Sequence, residues 1–291
     1  MSELERTQHW SREKIQQLQF DRLQEIVAHA YEKTEFWRNL MDRQRLVPSD
    51  IRSLEDLHKF PLLDKETVRA EREKMVDRDG RRRLMIVRTS GSTNEALQFY
   101  ADSDREAQIN AARIRGHRWI GINKGDREMY FWGSPIELSK QDRVKRFRDW
   151  LVNDGLTNGF EIKPELVKQY YEFWMRWRPK CIFGYPNRLM LMAVMARPQN
   201  IDLTTLVPRG LTAICTTSEM LTDLDRQLIS DAFGVPVFDS YGLREAGLIG
   251  HECKHQVMHT MDEQLLLETI DPQTLEKTDG EGELVVTSIY S

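Results

Sequence analysis

The sequence predicts an α/β fold with mainly parallel sheets flanked by helices and an antiparallel strand region near the C-terminus. Strand-like and helix-like segments alternate between residues 104 and 238, a pattern typical of βαβ units. Two later apolar runs, 264–270 and 283–289, are separated by turn signals and indicate an antiparallel pair. The chain has 291 residues, 40% hydrophobic and 30% charged, so it can bury a sizeable core, which excludes disordered and fibrous proteins.

The first 80 residues are predicted to form a helical segment that packs on this core. Apolar side chains recur at steps of three to five along residues 11–34, which predicts one amphipathic helix. Turn and helix-start signals at 48–57 predict shorter helices and loops up to about residue 80. The remaining chain, 81–291, is predicted to be the α/β core.

The core elements follow from periodicity and turn signals. Short strands at 84–87 and 97–100 are predicted to flank a loop rich in Ser, Thr and Gly. Beyond this loop we expect helices at 104–119, 164–177, 187–196 and 222–233, and strands at 128–132, 181–183, 211–215 and 235–238. Ligands of such sheets bind beyond the carboxyl ends of the strands, so the polar residues that follow each strand are candidates for function.

Charge and apolar patterning exclude several classes of protein. Lys and Arg number 42 against 46 Asp and Glu, so no overall positive field attracts nucleic acid. The longest nearly apolar run, 189–196, is much shorter than the roughly 18 residues that a membrane span needs. The charged N-terminus is unlike a secretory signal, which predicts a cytoplasmic protein. The three cysteines are widely spaced, and no disulfide is predicted.

Three polar segments follow predicted strands. Residues 89–93 place four hydroxyls and a glycine on one turn that can bind a phosphate, although the Gly-Lys-Ser/Thr of a Walker loop is absent. Residues 215–221 open into a helix, and residues 239–245 contain an acid suited to a divalent cation. Each segment alone is also explained as an ordinary polar turn, but their order on successive strand ends is specific.

At these segments the sequence resembles the adenylate-forming superfamily, most closely the branch of phenylacetate-coenzyme A ligase and related capsule-biosynthesis proteins. Thr89–Thr93 is similar to its T-S-G-S-T-G phosphate loop, Tyr241–Glu245 to its Y-G-x-T/S-E motif, and Gly184–Pro186 to the G-Y-P-S segment of this branch. The resemblance runs over nearly the whole chain and implies the large N-terminal domain of the superfamily. The sequence stops before the family's ribose-binding segment and C-terminal domain, so complete turnover by this chain alone is not expected.

The resemblance also implies a reaction. A substrate carboxylate attacks the α-phosphate of ATP with loss of pyrophosphate, and a thiol then captures the acyl-adenylate. The thiol acceptor, either coenzyme A or a carrier protein, is left open, as is a homodimer. Glu245 is implied to hold magnesium and, with Thr93, to act in catalysis. The residues implied to bind ATP are Thr89, Ser90, Gly91, Ser92, Thr93, Ser218, Glu219, Asp239, Ser240, Tyr241 and Gly242.

The pocket for the small carboxylic acid is predicted beside the same strand ends. Its candidate walls are Trp132, Gly184, Tyr185 and Pro186, together with residues 133–135. An aromatic lining suits an aryl or short apolar acid.

The sequence departs from the family motifs beside the phosphate loop and before the acid. Asn94 replaces the glycine after the phosphate loop, although Asn tolerates the left-handed conformation, and Ala96 stands at a proline position. Arg244 replaces the Thr or Ser before the acid, where it could reach a phosphate or crowd the metal. The alternative function is therefore a nucleotide- or acyl-binding protein that has lost turnover.

A zinc metalloprotease is a remote alternative, because His251–His255 matches H-E-x-x-H. That motif needs a helix to place both histidines on one face. Here Gly247 and Gly250 precede it closely, and residues 257–259 indicate a strand or loop.

The resemblance offers a different zinc site. Some members of the branch bind structural zinc through the cysteine of an E-C segment, a later histidine and a C-x-C pair. Cys253 and His259 match the first half, with His255 and His251 as further candidates. A structural zinc site wants four protein ligands, so polar residues without a metal are the alternative.

Overall fold

The computed structural model describes residues 1–77, 79, 84–89, 96–132, 153–159 and 161–290. The chain divides into two compact units. The first unit contains residues 1–112, 243–249 and 261–291, and the second contains residues 113–242 and 250–260. The predicted boundary near residue 80 stays a prediction.

The α-helices of the described residues range in length from 6 to 22 residues. In chain order they are α1 (Ser2–Thr7), α2 (Arg12–Lys33), α3 (Glu35–Gln44), α4 (Lys65–Glu71), α5 (Ser103–Trp119), α6 (Pro164–Trp177), α7 (Pro186–Ala196) and α8 (Asp223–Phe233). Short 3-10 helices occur at Pro48–Asp50, Leu54–Lys59, Arg197–Gln199 and Leu203–Arg209. None of the helices in these ranges is long and apolar enough to cross a membrane.

The strands of the described residues form three sheets. They are β1 (Met85–Arg88), β2 (Gln98–Ala101), β3 (Glu128–Trp132), β4 (Asp154–Asn158), β5 (Cys181–Gly184), β6 (Ala213–Thr217), β7 (Val237–Leu243), β8 (Gly247–Glu252), β9 (Met258–Thr260), β10 (Leu265–Ile270) and β11 (Glu283–Ser288). β1 pairs antiparallel with β2, and β10 pairs antiparallel with β11. The third sheet has seven strands in the order β4-β3-β5-β6-β7-β8-β9.

In the first unit, one face of α2 packs on α3 and on the C-terminal strand pair. Leu23 and Val27, four residues apart on α2, are buried in a cluster with Leu266 of β10 and with Ile289, the residue after β11. The apolar spacing of α2 therefore produces this core, as the sequence predicts.

In the second unit, the parallel strands carry the core. β3 pairs in parallel with β4 and β5, β5 with β6, and β6 with β7. Trp174 of α6, Leu189 of α7 and Phe233 of α8 are fully buried in the cluster that also contains Ile182 and Ile214 of the sheet. Helix α8 begins at a capping box between Thr222 and Asp225 and ends at Gly234, whose φ of 71° suits glycine.

The predicted fold class is confirmed, with differences at several strands. β6 and β7 each begin two residues later than predicted, because Leu211 and Val235 are buried just outside the ladder. They also end later, at Thr217 and Leu243, so residues 239–243, predicted to follow a strand, belong to β7. β4 and β8 were not predicted. The first has polar residues at both ends, and the second contains two glycines and a charged end.

Candidate functional site

The carboxyl ends of four parallel strands lie in register and bring several predicted residues to one sheet edge. Phe131 of β3 is level with Gly184 of β5, which is level with Thr216 of β6. Thr216 is in turn level with Asp239 of β7. The predicted residues after β5, after β6 and within the second half of β7 therefore share the edge where α/β sheets bind ligands.

A hydrogen-bond network fixes the start of residues 239–242, which the resemblance implies to bind ATP. The Thr216 hydroxyl donates to the Asp239 carboxylate at 2.7 Å, and the Ser240 hydroxyl donates to the Thr216 carbonyl at 2.8 Å. Burial raises the pKa of Asp239, and the hydrogen bond from Thr216 opposes this shift. Beyond these buried residues, Tyr241 is 46% exposed at the edge of the sheet.

Glu252 and Arg226 support this segment, a role that the sequence did not predict for either residue. Arg226 of α8 donates to both Glu252 carboxylate oxygens at 2.9 and 2.8 Å. The same carboxylate accepts the backbone N–H of Asp239 at 2.7 Å, and Arg226 also donates to the Val237 carbonyl at 2.7 Å. A paired, hydrogen-bonded carboxylate therefore holds β7 where the predicted nucleotide residues begin.

The turn after β6 contains Ser218 and Glu219. Ser218 has a φ of 67°, a left-handed backbone conformation that is uncommon outside glycine. The Glu219 carboxylate accepts the Asn187 side-chain N–H at 2.7 Å and the Asn187 backbone N–H at 3.2 Å. Glu219 thus covers the N-terminal end of α7, next to the predicted substrate segment.

The predicted substrate residues form an aromatic wall. The Trp132 ring stacks on Tyr185 with centroids 4.4 Å apart and on Phe183 with centroids 5.8 Å apart. A Cβ added at Gly184 would lie 2.8 Å from the Phe131 carbonyl oxygen, so only glycine fits there. Pro186 is the first residue of α7 and is buried.

Among the described residues, two predicted ligand residues, Thr89 and Glu245, lie in the first unit. Thr89 follows β1, and its hydroxyl accepts the Leu97 backbone N–H at 2.9 Å. The guanidinium of Arg105 donates to the backbone carbonyls of Arg244 and of Glu245, the latter at 3.0 Å. The Glu245 carboxylate makes no hydrogen bond or ion pair with any residue that the structure describes.

Several predicted positions lie outside the described residues. These are Ser90, Gly91, Ser92 and Thr93 of the phosphate loop, Asn94 after it, and residues 133–135 of the predicted pocket. The phosphate-binding role of this loop stays a prediction.

The predicted zinc residues lie on the hairpin between β8 and β9. Cys253 is partly buried in its turn, and His255 and His259 are exposed. Within the described ranges, these three do not place ligand atoms within 4.8 Å of one another. The hairpin as it stands does not fit a zinc ion, and zinc binding by these residues stays a prediction.

The H-E-x-x-H match has the wrong backbone for a metalloprotease. His251 lies near the end of β8, whereas His255 lies in the turn after it. His251 is 1% exposed, and His255 is exposed. The helix that this motif requires is absent from residues 251–255.

A surface cleft of about 560 Å³ in the first unit has none of the predicted site residues in its lining. It is lined by side chains of α3 and α4 and by Lys74, and it includes Asp42, Arg43 and Glu71. Its lining is charged and contains none of the polar segments identified from the sequence.

Sequence comparisons give related proteins, although no protein-family model matches the chain. The chain is 37% identical to phenylacetate-coenzyme A ligase of Aromatoleum evansii, over 99% of this chain and 65% of that protein. It is 25% identical to phenylacetate-coenzyme A ligase of Thermus thermophilus, over 96% of this chain and 62% of that protein. It is 24% identical to protein CapK of Staphylococcus aureus, over 79% of this chain and 50% of that protein. The chain thus spans half to two thirds of the length of these curated relatives.

Solved structures share the fold. A structure of 2-hydroxyisobutyryl-CoA ligase in complex with 2-HIB-AMP and CoA superposes with a TM-score of 0.78 at 18% identity, over 96% of this chain and 61% of that chain. ATP-bound MatB from Rhodopseudomonas palustris gives a TM-score of 0.52 at 14% identity, over 70% of this chain and 39% of that chain.

Proposed function

The chain belongs to the adenylate-forming superfamily, and we propose that the protein activates a small carboxylic acid with ATP. The acid's carboxylate would attack the α-phosphate, form an acyl-adenylate and release pyrophosphate. A thiol would then displace AMP to give a thioester, with coenzyme A as the expected acceptor. The relatives named phenylacetate-coenzyme A ligase support this proposal.

The observation that carries the proposal is the shared edge of β6 and β7. Thr217 and Ser240 are level in this pair, so Ser218, the first residue after β6, lies beside the last residues of β7, which begin at Tyr241. Their order and spacing match the nucleotide segments of the superfamily, and both are fixed by hydrogen bonds to neighbouring elements. Such preorganisation suits catalysis by positioning, which needs no protein nucleophile.

Magnesium would be held by Glu245. Its carboxylate supplies the hard oxygen ligand that Mg²⁺ prefers, and it makes no hydrogen bond or ion pair among the described residues. Arg105 fixes the backbone at this position through the carbonyl oxygens of Arg244 and Glu245. The ion would neutralise phosphate charge when bound.

The acid would be aryl or otherwise planar and apolar. Trp132, Phe183 and Tyr185 present stacked rings beside the strand ends, and a stacked wall favours a flat partner. This part of the proposal follows from the aromatic side chains of this chain.

Calorimetric titration of the 291-residue chain with Mg-ATP tests the nucleotide site. We expect saturable binding that Glu245→Gln weakens by about tenfold or more, since the metal ligand is lost. Glu281→Gln, at an exposed acid of the same unit, is the matched control and should bind as the parent does. No binding, or equal effects of both variants, would refute the assigned site.

A second experiment separates activation from binding alone. The longer gene product, if one exists, is assayed for pyrophosphate release with a panel of aryl and short-chain acids, and otherwise this chain is used. Acid-dependent release supports the ligase. ATP binding without release under any acid favours the alternative, a nucleotide-binding protein that has lost turnover.

A further inference from the structure

A buried group of three potential metal ligands lies in the second unit, apart from the candidate zinc residues of the β8–β9 hairpin. His117 of α5, Cys215 of β6 and His251 of β8 place one ligand atom each within 4.8 Å of one another. Their side chains are at most 2% exposed. We propose that these three residues form a binding site for a thiophilic metal ion, of which Zn²⁺ is the one to test.

The donor set suits such an ion. One thiolate and two imidazoles are the ligands that zinc takes in proteins, and three protein ligands leave a fourth position for water. His251 Nε2 lies 3.4 Å from Cys215 Sγ. A sulfur and a nitrogen on one tetrahedral zinc ion are roughly 3.6 Å apart, so this pair needs almost no movement.

The second ring nitrogen of each histidine already faces an oxygen. His251 Nδ1 lies 2.7 Å from the Glu252 backbone carbonyl, to which an Nδ1–H would donate. His117 Nδ1 lies 3.3 Å from the Glu128 carboxylate. Metal-binding histidines usually present their other nitrogen to a carboxylate or a backbone carbonyl in this way, which leaves Nε2 for the metal.

A buried ring nitrogen of His117 indicates that a ligand binds here. The Nδ1 of His117 lies 3.3 Å from the Glu128 carboxylate, but its Nε2, the nitrogen left for a metal, makes no hydrogen bond with the residues that the structure describes. A buried ring nitrogen without a partner is costly, and a bound ion would satisfy it.

The charges beside the group of three are balanced before an ion binds. Glu128 lies beside His117 and is held by Arg113 at 2.9 Å and by the Tyr130 hydroxyl at 3.0 Å. Since Arg113 already neutralises Glu128, the Cys215 thiolate would offset one charge of a divalent ion, and Glu128 would orient the His117 ring. The ion would enter during folding, because the side chains around it leave no exposed face.

Metal content and a cobalt spectrum test the site. The chain is reconstituted with Zn²⁺ or Co²⁺, passed over a chelating resin and measured by mass spectrometry of the metal. We expect one ion per chain, a thiolate-to-cobalt charge-transfer band, and a melting temperature raised by roughly 5 °C with zinc at 100-fold excess over its Kd.

Two serine variants test which cysteine sulfur binds the metal. Cys215→Ser should lose the ion and the band. Cys181→Ser should keep both, and it is a matched control because Cys181 is equally buried in the same hydrophobic cluster on the neighbouring strand.

A third variant keeps the test decisive if Cys215→Ser does not fold. Cys253→Ser removes the partly exposed thiol of the hairpin, and X-ray absorption of its zinc form should still show one sulfur and two imidazole nitrogens. A chain that binds no metal, or a sulfur signal that disappears with Cys253, would overturn the proposal.

Discussion

The Trp132 ring lies on the Tyr185 ring with their planes inclined by 22° and their centroids 4.4 Å apart. Trp132 is the last residue of β3, Tyr185 directly follows the neighbouring parallel strand β5, and the Trp132 ring also stacks on Phe183 of β5. Gly184 permits this approach, because its Cα lies against the backbone of Phe131. The aromatic wall is therefore a consequence of strand register.

We predict that this wall selects aryl acids. Trp132→Ala should weaken binding of an aryl acyl-adenylate analogue about 2- to 10-fold, since an aromatic pair contributes roughly 0.5–1.5 kcal/mol beyond its buried area. Binding of an acetyl-adenylate analogue should change little. Calorimetric titration of both analogues measures the difference.

Phe173→Ala is the control for this prediction, because Phe173 packs on Trp177 within α6 and is not part of the stack. An equal loss for both analogues in Trp132→Ala, or an equal loss in Phe173→Ala, would show that the stack does not set acid selectivity.

The Arg226–Glu252 pair is predicted to hold the nucleotide segment. Glu252→Gln keeps the shape but removes the charge that Arg226 and the Asp239 backbone share. Breaking such a nearly buried pair should lower the free energy of unfolding by roughly 2–4 kcal/mol. Urea denaturation measures this loss, and Mg-ATP affinity should fall with it because Asp239 loses its anchor.

Glu172→Gln provides the comparison, because Glu172 is exposed on α6. It should change stability by less than about 0.5 kcal/mol. If Glu252→Gln were as mild, the carboxylate would not be the anchor of β7.

Ser218 offers a way to separate backbone strain from ligand binding. Its φ of 67° costs an L-residue roughly 1–2 kcal/mol, which glycine avoids. Ser218→Gly should therefore leave stability unchanged or raise it by up to about 1 kcal/mol. If the hydroxyl contacts ATP, the same variant should weaken Mg-ATP binding.

Asn200→Gly is matched to it, because Asn200 has a φ of 56° at the end of a 3-10 helix distant in sequence from the nucleotide segments. It should affect stability similarly without changing ATP affinity. Thermal melts and titrations of both variants decide the question, and unchanged affinity in Ser218→Gly would remove this hydroxyl from the site.

Periodicity predicted most of the framework because burial leaves a clear mark on long elements. The apolar spacing of α2, α6 and α8 gave helices that the structure contains. The ends of β6 and β7 were harder to predict. Thr216, Thr217 and Ser240 are polar yet buried within β6 and β7, because hydrogen bonds satisfy Thr216 and Ser240.

The burial of the residues that support the site could not be predicted from local sequence either. Glu252 and His251 lie at the end of a strand with two glycines, and local sequence gives no sign that either is buried. Their partners, Arg226 and Cys215, are 26 and 36 residues away in the chain. Only tertiary structure brings such pairs together, whereas the motif residues were found by resemblance.

We predict that the position of the His251 ring requires glycine at position 116. A Cβ at this position of α5 would lie 2.6 Å from Cγ and 2.9 Å from Cβ of His251, both too close to the backbone to move freely. On an open helix surface, Gly→Ala would stabilise by up to about 1 kcal/mol. Here we expect Gly116→Ala to lower the free energy of unfolding by roughly 1–2 kcal/mol, because overpacking outweighs helix propensity.

Gly280→Ala separates this clash from a general effect of alanine, because a Cβ at Gly280 meets only the Thr278 hydroxyl oxygen, at 3.5 Å. If His251, Cys215 and His117 bind a metal, Gly116→Ala should also abolish metal retention, whereas Gly280→Ala should keep it. Chemical denaturation and metal analysis of both variants test this, and a Gly116→Ala protein more stable than its parent would show that the helix and the ring are not in contact.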